Sequence, residues 1–312
     1  MNGLQTIGPM ERAVHLRALP LFDALRMAQV VGLAQLAEER GAAAGEVLQE
    51  RGRPLRGLAV LLDGAVRVEA AGAAPVRVEA PHPLGVLELL ADRPSAARLV
   101  AERAVTLLRI DAARWWDVLE EQFALVIQLR AALGRALAAR QPIDVVAGPD
   151  SGGEAAARAP HDSVGRLLRL HRVPLLRPFG VAVLDALVRG GAVEHEIADR
   201  TRLLRAGEAA DHFLVLTAGA AAATGARAPV GPGAVLGANA ALSGLPHAHD
   251  VDAVGATRAI GVDVRRLWDL AEDHFHVARA LLAYAARRLL ALDSGPLPLD
   301  VASPESAEEH HP

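Results

Sequence analysis

The stretch that decides the expected fold runs from Leu84-Gly85-Val86-Leu87-Glu88-Leu89-Leu90 to Arg93-Pro94-Ser95-Ala96-Ala97-Arg98-Leu99-Val100-Ala101. A glycine opens an apolar run, a proline ends it, and small and β-branched residues follow. This order predicts a strand, a tight turn, a short helix and a second strand. The unpaired backbone N–H groups at the start of such a helix favour an anion near the glycine.

The same residues resemble the phosphate-binding cassette of cyclic nucleotide-binding domains. In that cassette an apolar residue and Gly are followed by Glu, two apolar residues and a loop, and then by Pro-Arg-(Ala/Ser)-Ala-(Thr/Ser)-Val. The family's Glu holds the ribose hydroxyl and its Arg pairs with the cyclic phosphate, but this chain has Val86 and Ser95 at those places. The resemblance implies the frame of a nucleotide pocket without its two most discriminating side chains. The matching positions are Gly85, Leu89, Leu90, Pro94, Ala96, Ala97 and Leu99.

Two arginines keep a rearranged first pocket open as an alternative. Arg98 stands where the family has Thr or Ser, and Arg93 precedes the proline, so either guanidinium could approach the anion. Glu88 could replace the carboxylate missing at Val86, but two residues along a helix turn a side chain by about 200°. Solvated surface charges are the favoured interpretation. The candidate ligand-binding residues are Gly85, Val86, Leu87, Glu88, Arg93, Ser95, Ala96 and Arg98.

The sequence repeats itself. Five residues recur 152 positions later: Gly85 as Gly237, Pro94 as Pro246, Asp111 as Asp263, Trp116 as Trp268 and Phe123 as Phe275. Recurrence at one offset indicates two copies of one domain.

The second copy carries a second cassette with a different set of replacements. Ala238 stands for the ribose Glu and His247 for the phosphate Arg. Asp250 takes the place of a hydroxyl donor, and no Arg lies between Arg227 and Arg258 to compensate its charge. This second pocket is expected not to bind a cyclic nucleotide, because each lost charge-assisted bond costs roughly 1.5–3 kcal/mol. Its residues are Gly237, Ala238, His247, Ala248 and Asp250.

The expected fold class is α+β with a mainly β core: two tandem cyclic nucleotide-binding-like β-roll (jelly-roll) domains with flanking helices. Asp63-Gly64 between two β-rich runs predicts a hairpin turn. The predicted boundaries are a first domain at 1–141, a linker rich in Pro and Gly at 142–162, a second domain at 163–293 and a disordered tail at 294–312.

Composition excludes several function classes. The 312 residues contain no cysteine, which rules out disulfides and thiol catalysis, and their net charge of −4 provides no general basic field for nucleic acid. All 33 basic residues are Arg, so a surface arginine is a weak site signal here. Met1–Arg12 lacks the pattern of a signal peptide, and the uncharged run 228–246 contains turn residues, so a cytoplasmic protein without membrane contact is expected.

Two further clusters have chemistry-bearing residues. His247, His249 and Asp250, with His195, have the types of metal ligands, although an exposed polar loop is favoured and no metal is expected. Glu194-His195-Glu196 suggests acid–base chemistry, but no nucleophile motif accompanies it.

The sequence therefore predicts a non-catalytic regulatory or scaffolding protein without a cofactor. It would bind another protein, or form a homo-oligomer through apolar stripes on two long helices, 116–137 and 267–292. No nucleic-acid partner is expected, since no helix-turn-helix follows the second copy. The alternative is a cytoplasmic sensor that binds a cyclic mono- or dinucleotide in the first domain through Arg98 or Arg93.

Overall fold

The computed structural model describes residues 8–19, 22, 25–141, 143–146 and 162–292. The predicted tail, 294–312, and most of the predicted linker lie outside these residues. The chain divides into two compact units, which are described separately: residues 8–132 with 289–292, and residues 133–288 of the described part.

The first unit is a β-roll with flanking helices. Two four-stranded antiparallel sheets, in the orders β1-β8-β3-β6 and β2-β7-β4-β5, enclose a core of small and branched apolar side chains. Its strands are β1 Glu38–Ala42, β2 Val47–Gln49, β3 Gly57–Asp63, β4 Ala65–Ala70, β5 Val76–Glu79, β6 His82–Leu84, β7 Ala97–Ala101 and β8 Val105–Asp111. Its helices are α1 Pro9–Arg17, α2 Met27–Leu36, α3 Val86–Ala91, α4 Ala112–Glu121 and α5 Phe123–Arg140, which runs on into the second unit.

The second unit repeats the roll with longer strands. Its sheet has the order β10-β14-β12-β13-β9, and β11 also pairs with β14. Bulges bend the long strand β12 where the first roll has separate strands. The strands are β9 Val145–Val146, β10 Ala192–Ile197, β11 Arg202–Leu204, β12 His212–Ala223, β13 Val235–Leu236 and β14 Val251–Asp263; the helices are α6 Ser163–Arg172, α7 Val181–Gly190, α8 Ala238–Ser243, α9 Val264–Asp273 and α10 Phe275–Leu292.

The expected fold class, two mixed units of antiparallel sheet and helix, is confirmed, and the repeat holds at the level of single residues. Gly85 and Gly237 precede the six-residue helices α3 and α8 with left-handed φ values of 75° and 76°. Asp111 and Asp263 cap α4 and α9 through their side chains. The spacing of 152 residues therefore marks equivalent structural positions.

The hairpin predicted at Asp63-Gly64 is wrong. β3 pairs with β6 and β8, whereas β4 pairs with β5 and β7, so the chain crosses from one sheet to the other at this point. Gly64 has φ 99°, and an added Cβ would lie 2.6 Å from the Ala104 carbonyl oxygen. The glycine is needed for a sheet corner rather than for a two-residue turn.

The two long helices predicted at 116–137 and 267–292 are each interrupted. Gln122, with φ −126° and ψ 71°, separates α4 from α5, and His274, with φ −133° and ψ 82°, separates α9 from α10. The apolar side chains of both predicted stripes are largely buried within the single chain. A homo-oligomer would therefore need another surface.

The segment 143–146, which the sequence assigns to the linker, forms part of the second roll. β9 pairs antiparallel with β13, and Ile143 and Val145 pack against the core of that roll. No helix among the described residues has both the length and the hydropathy needed to span a bilayer.

The close approach of β3 to β8 makes Gly57 a test of the first roll. An added Cβ would overlap the Ile110 carbonyl oxygen, so Gly57→Ala should lower the free energy of unfolding by about 2–3 kcal/mol. Gly32→Ala, in the interior of α2 with no atom within 4 Å of the added Cβ, should instead be neutral or stabilising by up to about 1 kcal/mol. Urea denaturation followed by circular dichroism measures both, and equal effects would contradict the assigned packing.

Candidate functional site

The first cassette, residues 84–101, has an apolar side chain beside its glycine. A Cβ added to Gly85 would lie 2.9 Å from Cδ2 of Leu55, which belongs to the loop between β2 and β3. Val86, the first residue of α3, is buried. The start of α3 therefore faces hydrocarbon where the resemblance implies a sugar and a phosphate.

The polar residues of the first cassette are engaged locally. Ser95 is buried, and its Oγ donates to the Ala97 carbonyl oxygen at 2.7 Å. Arg98 pairs with Glu69 at 3.2 Å and with Glu50 at 3.4 Å. Arg98 is thus held by two carboxylates.

The remaining predicted residues lie around α3 and the loop after it. Leu87 and Glu88 are half-buried on α3, whereas Arg93 and Ala96 are exposed in the loop. The backbone N–H of Arg93 donates to the Glu88 carbonyl oxygen at 2.9 Å and so closes the turn after α3.

A cavity of about 740 Å³ opens between the two sheets of the first roll. Its walls are apolar side chains of the strands and of the loop between β2 and β3, together with Gln49 and Glu50. Its arginines all lie outside the cassette: Arg40, Arg53, Arg56 and Arg109. Arg40 pairs with Glu46 and Arg109 with Glu38, whereas the side chains of Arg53 and Arg56 have no ion-pair partner among the described residues. The run Arg51-Gly-Arg53-Pro-Leu-Arg56 marks this cluster in the sequence, but it lies 28 to 33 residues before the start of the cassette at Leu84.

The second cassette, residues 236–251, binds a carboxyl group supplied by the chain itself. The two carboxylate oxygens of Asp144 accept hydrogen bonds from the backbone N–H groups of Asn239, at 3.0 Å, and Ala240, at 2.8 Å. The backbone N–H of Gly237 donates to the Asp144 carbonyl oxygen at 2.9 Å. These three N–H groups, at the start of α8, are called the second anion position below.

Charges around Asp144 favour its ionised form, but burial opposes it. Withdrawal of the carboxyl from water raises the pKa of Asp144, although hydrogen bonds from Ala240 and Asn239 and the charges of Arg288 and His249 act to lower it. Arg288, on α10, also donates to the side chains of Gln141 and Tyr284. The final helix thereby places a cation near the segment that carries Asp144.

His247 is buried against Gly237, beside the second anion position. A Cβ added to Gly237 would lie 2.7 Å from Cε1 of His247. The backbone of His247 exchanges hydrogen bonds with Gly207 and Glu208, as Ser95 does with Gly52 and Arg53 in the first roll. Burial, and secondly the charge of His212, lowers the pKa of His247.

Asp250 is compensated, contrary to the expectation from its sequence neighbours. Its carboxylate accepts from the backbone N–H of Ala206 at 2.8 Å and pairs with Arg202, which precedes Arg227 in the sequence. The hydrogen bond from Ala206 and the charge of Arg202 lower the pKa of Asp250. Of the other two predicted residues, Ala238 is buried and Ala248 is exposed.

The two remaining clusters have structural contacts. Glu194 accepts hydrogen bonds from the buried Arg169 and from Thr217. His195 lies on β10, where its Nε2 is 3.3 Å from a Cβ added to Gly261. Within the described ranges, no three His, Asp or Glu side chains are grouped so that they could hold a metal ion.

Solved structures similar to this chain are cyclic nucleotide-binding domains, the family that the cassette residues resemble. The regulatory domain of Toxoplasma gondii PKA with cAMP is 17% identical, with 90% of this chain and 97% of that chain covered and a TM-score of 0.35. The regulatory subunit of a cAMP-independent protein kinase A from Trypanosoma brucei is 14% identical, with 87% and 89% covered and a TM-score of 0.34.

A single-domain neighbour matches part of the chain. The N-terminal domain of a transcriptional regulator from Streptomyces coelicolor A3(2) is 26% identical, covers 40% of this chain and 91% of its own, and has a TM-score of 0.36. No family model and no curated protein matches the sequence.

Removal of the Asp144 carboxylate tests the second anion position. Asp144→Ala leaves the N–H groups of Asn239 and Ala240 without their acceptor, so the free energy of unfolding of the second unit should fall by about 1–3 kcal/mol. Native-state hydrogen exchange should speed up at these two amides. Asp269→Ala, at an exposed position on α9, is the matched control and should change stability by less than about 0.5 kcal/mol. Unchanged exchange in Asp144→Ala would contradict the assigned contacts.

The lowered pKa of His247 predicts a loss of stability in mild acid. The folded state holds the imidazole neutral, whereas the unfolded chain takes up a proton near its ordinary pKa of 6.5, so the unfolded state binds more protons as the pH falls below this value. The free energy of unfolding should then decrease by at most about 1.4 kcal/mol for each pH unit. In His247→Leu this contribution should be absent. Urea titrations between pH 7 and pH 5 measure the two slopes, and parallel slopes would argue against a buried neutral His247.

Proposed function

We propose that the protein is a non-catalytic regulatory protein in which the second roll does not bind a cyclic nucleotide and acts by binding another protein. The observation that carries this proposal is the position of Asp144. Its carboxylate already takes the backbone N–H groups of Asn239 and Ala240, which are the donors that a ligand's anion would need. A nucleotide phosphate would have to displace the carboxylate of Asp144. Because this carboxylate is part of the same chain, its binding carries no entropy cost of association, whereas that of a free nucleotide does.

The contacts of the polar clusters support a function without catalysis. Glu194, one of the two carboxylates of the Glu-His-Glu motif, is engaged by Arg169 and Thr217. The cytoplasmic location expected from the sequence remains part of this proposal, as does the absence of nucleic acid among its partners.

Another protein is favoured over a homo-oligomer as the partner. The apolar stripes that the sequence offered for self-association are largely buried within the chain, as in Leu129 and Leu133 of α5 and Leu281 and Leu282 of α10. The exposed large apolar side chains of the described residues lie elsewhere, among them the pairs Met10 and Val14 on α1 and Val164 and Leu168 on α6, each one turn apart.

The first roll offers a second candidate function, the sensing of a small anion. The cavity of about 740 Å³ could hold a ligand of nucleotide size, and Arg53 and Arg56 line it. Arg98 does not line this cavity and is paired with Glu50 and Glu69. A ligand in the first roll would therefore depend on the loop arginines rather than on Arg98 or Arg93.

Calorimetry of the full chain with cAMP, cGMP and cyclic di-GMP separates these functions. We expect no micromolar binding to the wild-type protein, because neither cassette offers both a ribose carboxylate and a free cationic partner for phosphate. Micromolar binding that is lost in Arg53→Ala or Arg56→Ala and kept in Arg98→Ala would establish the second candidate. Binding lost in Arg98→Ala would contradict the placement of that guanidinium, and binding by the second roll would overturn the main proposal.

A further inference from the structure

The second roll has one strand more than the first at the edge beside its cassette. In the first roll β6 is the edge strand of its sheet, and no described strand pairs with its free side. Its counterpart β13 is covered by β9, with Val235 opposite Val146 and Leu236 opposite Val145. The residues 143–146 thus occupy an edge that would otherwise present unpaired backbone groups.

This segment is recognised by backbone and side chains together. β9 supplies the main-chain pairing, Ile143 and Val145 pack against the apolar core of the second roll, and Asp144 binds the second anion position. Addition of an extended strand to a sheet edge, with specificity from alternate side chains, is a general mode of peptide recognition. The motif that the second roll binds is therefore an acidic residue between two branched apolar residues.

The hold of the chain's own segment on this site is limited. β9 has only two residues, and residues 143–146 are all partly exposed. Short, partly exposed elements with few backbone pairs open at low free energy. The segment is therefore expected to open at lower free energy than the long strands β12 and β14.

Several polar groups of the second cassette have no hydrogen-bond partner among the described residues. Asn239 and His247 are 4% and 5% exposed, yet both polar atoms of the Asn239 amide and Nε2 of His247 have no hydrogen-bond partner within the described part of the chain. Nδ1 of His249 is in the same condition. Buried polar groups without partners are uncommon in folded proteins and disfavour the present arrangement of the cassette.

We propose that the second cassette is a peptide-binding site, occupied in cis by residues 143–146, which takes an extended acidic segment of a partner protein in exchange. The partner segment carries Asp or Glu between branched apolar residues and adds to β13 as β9 does. This inference rests on the proposed function, since it names the chemistry of the protein partner. Tethering gives the chain's own segment an advantage over any free peptide.

Fluorescence anisotropy of the full-length protein with a labelled peptide tests the exchange. The probe is Gln-Pro-Ile-Asp-Val-Val, the sequence of residues 141–146, and the control peptide has Asn in place of Asp. In Asp144→Ala the internal competitor is weakened, so this variant should bind the Asp peptide at least about tenfold more tightly than the Asn peptide. The wild-type protein and Asp269→Ala should bind the Asp peptide at least about tenfold more weakly than Asp144→Ala does.

Circular dichroism checks that Asp144→Ala is folded, and Asp144→Asn, which keeps the side-chain volume, replaces it if it is not. No binding to the folded variant, or equal binding of the Asp and Asn peptides, would overturn the inference. Displacement of the peptide by cAMP would also overturn it, because the cassette would then be a site for a small cyclic phosphate. A failed peptide experiment leaves the proposed function standing, since only nucleotide binding by the wild-type second roll contradicts that proposal.

Discussion

The arrangement of the second unit depends on one interaction, the carboxylate of Asp144 on the backbone N–H groups of Asn239 and Ala240. The start of a helix needs acceptors, and a short helix that begins in the interior cannot obtain them from water. In the second roll a side chain from another part of the chain supplies them. This contact also brings Ile143 and Val145 onto the core and β9 onto the sheet edge, so that packing, pairing and charge compensation depend on one another.

The two rolls show what duplication retains and what it changes. Both keep a glycine with positive φ before the cassette helix and an aspartate that caps the helix after the roll. Both also keep the backbone hydrogen bonds that join Ser95 or His247 to the preceding loop. The surroundings of the two glycines differ. Leu55 lies against Gly85, whereas His247 and Leu204 lie against Gly237. The common frame is thus compatible with an open, arginine-lined cavity in one copy and a self-occupied cassette in the other.

The sequence predicted those features that depend on local chemistry. Gly85, Gly237, Asp111 and Asp263 were found through their recurrence at one spacing. The structure gives the physical reason, since positive φ and helix capping select particular residue types at particular places. The pairing of the strands on either side of Gly64 was not predicted, because a turn signal does not say which strands pair. The helix breaks at Gln122 and His274 were not predicted either, because no proline or glycine marks them in the sequence. Asp144 was hidden in a stretch with the composition of a linker, and its acceptor role involves residues 95 and 96 positions away.

Gly134 has a consequence for the path of the chain into the second cassette. At this position α5 passes so close to Ser243 of α8 that a Cβ on residue 134 would overlap the serine side chain. The chain is therefore fixed to one end of α8 at residue 134 and to the other end at Asp144. The number of residues between these two points is therefore constrained, as well as their identity. A single insertion or deletion there would move Asp144 away from the N–H groups of Asn239 and Ala240, even if every contacting side chain were kept.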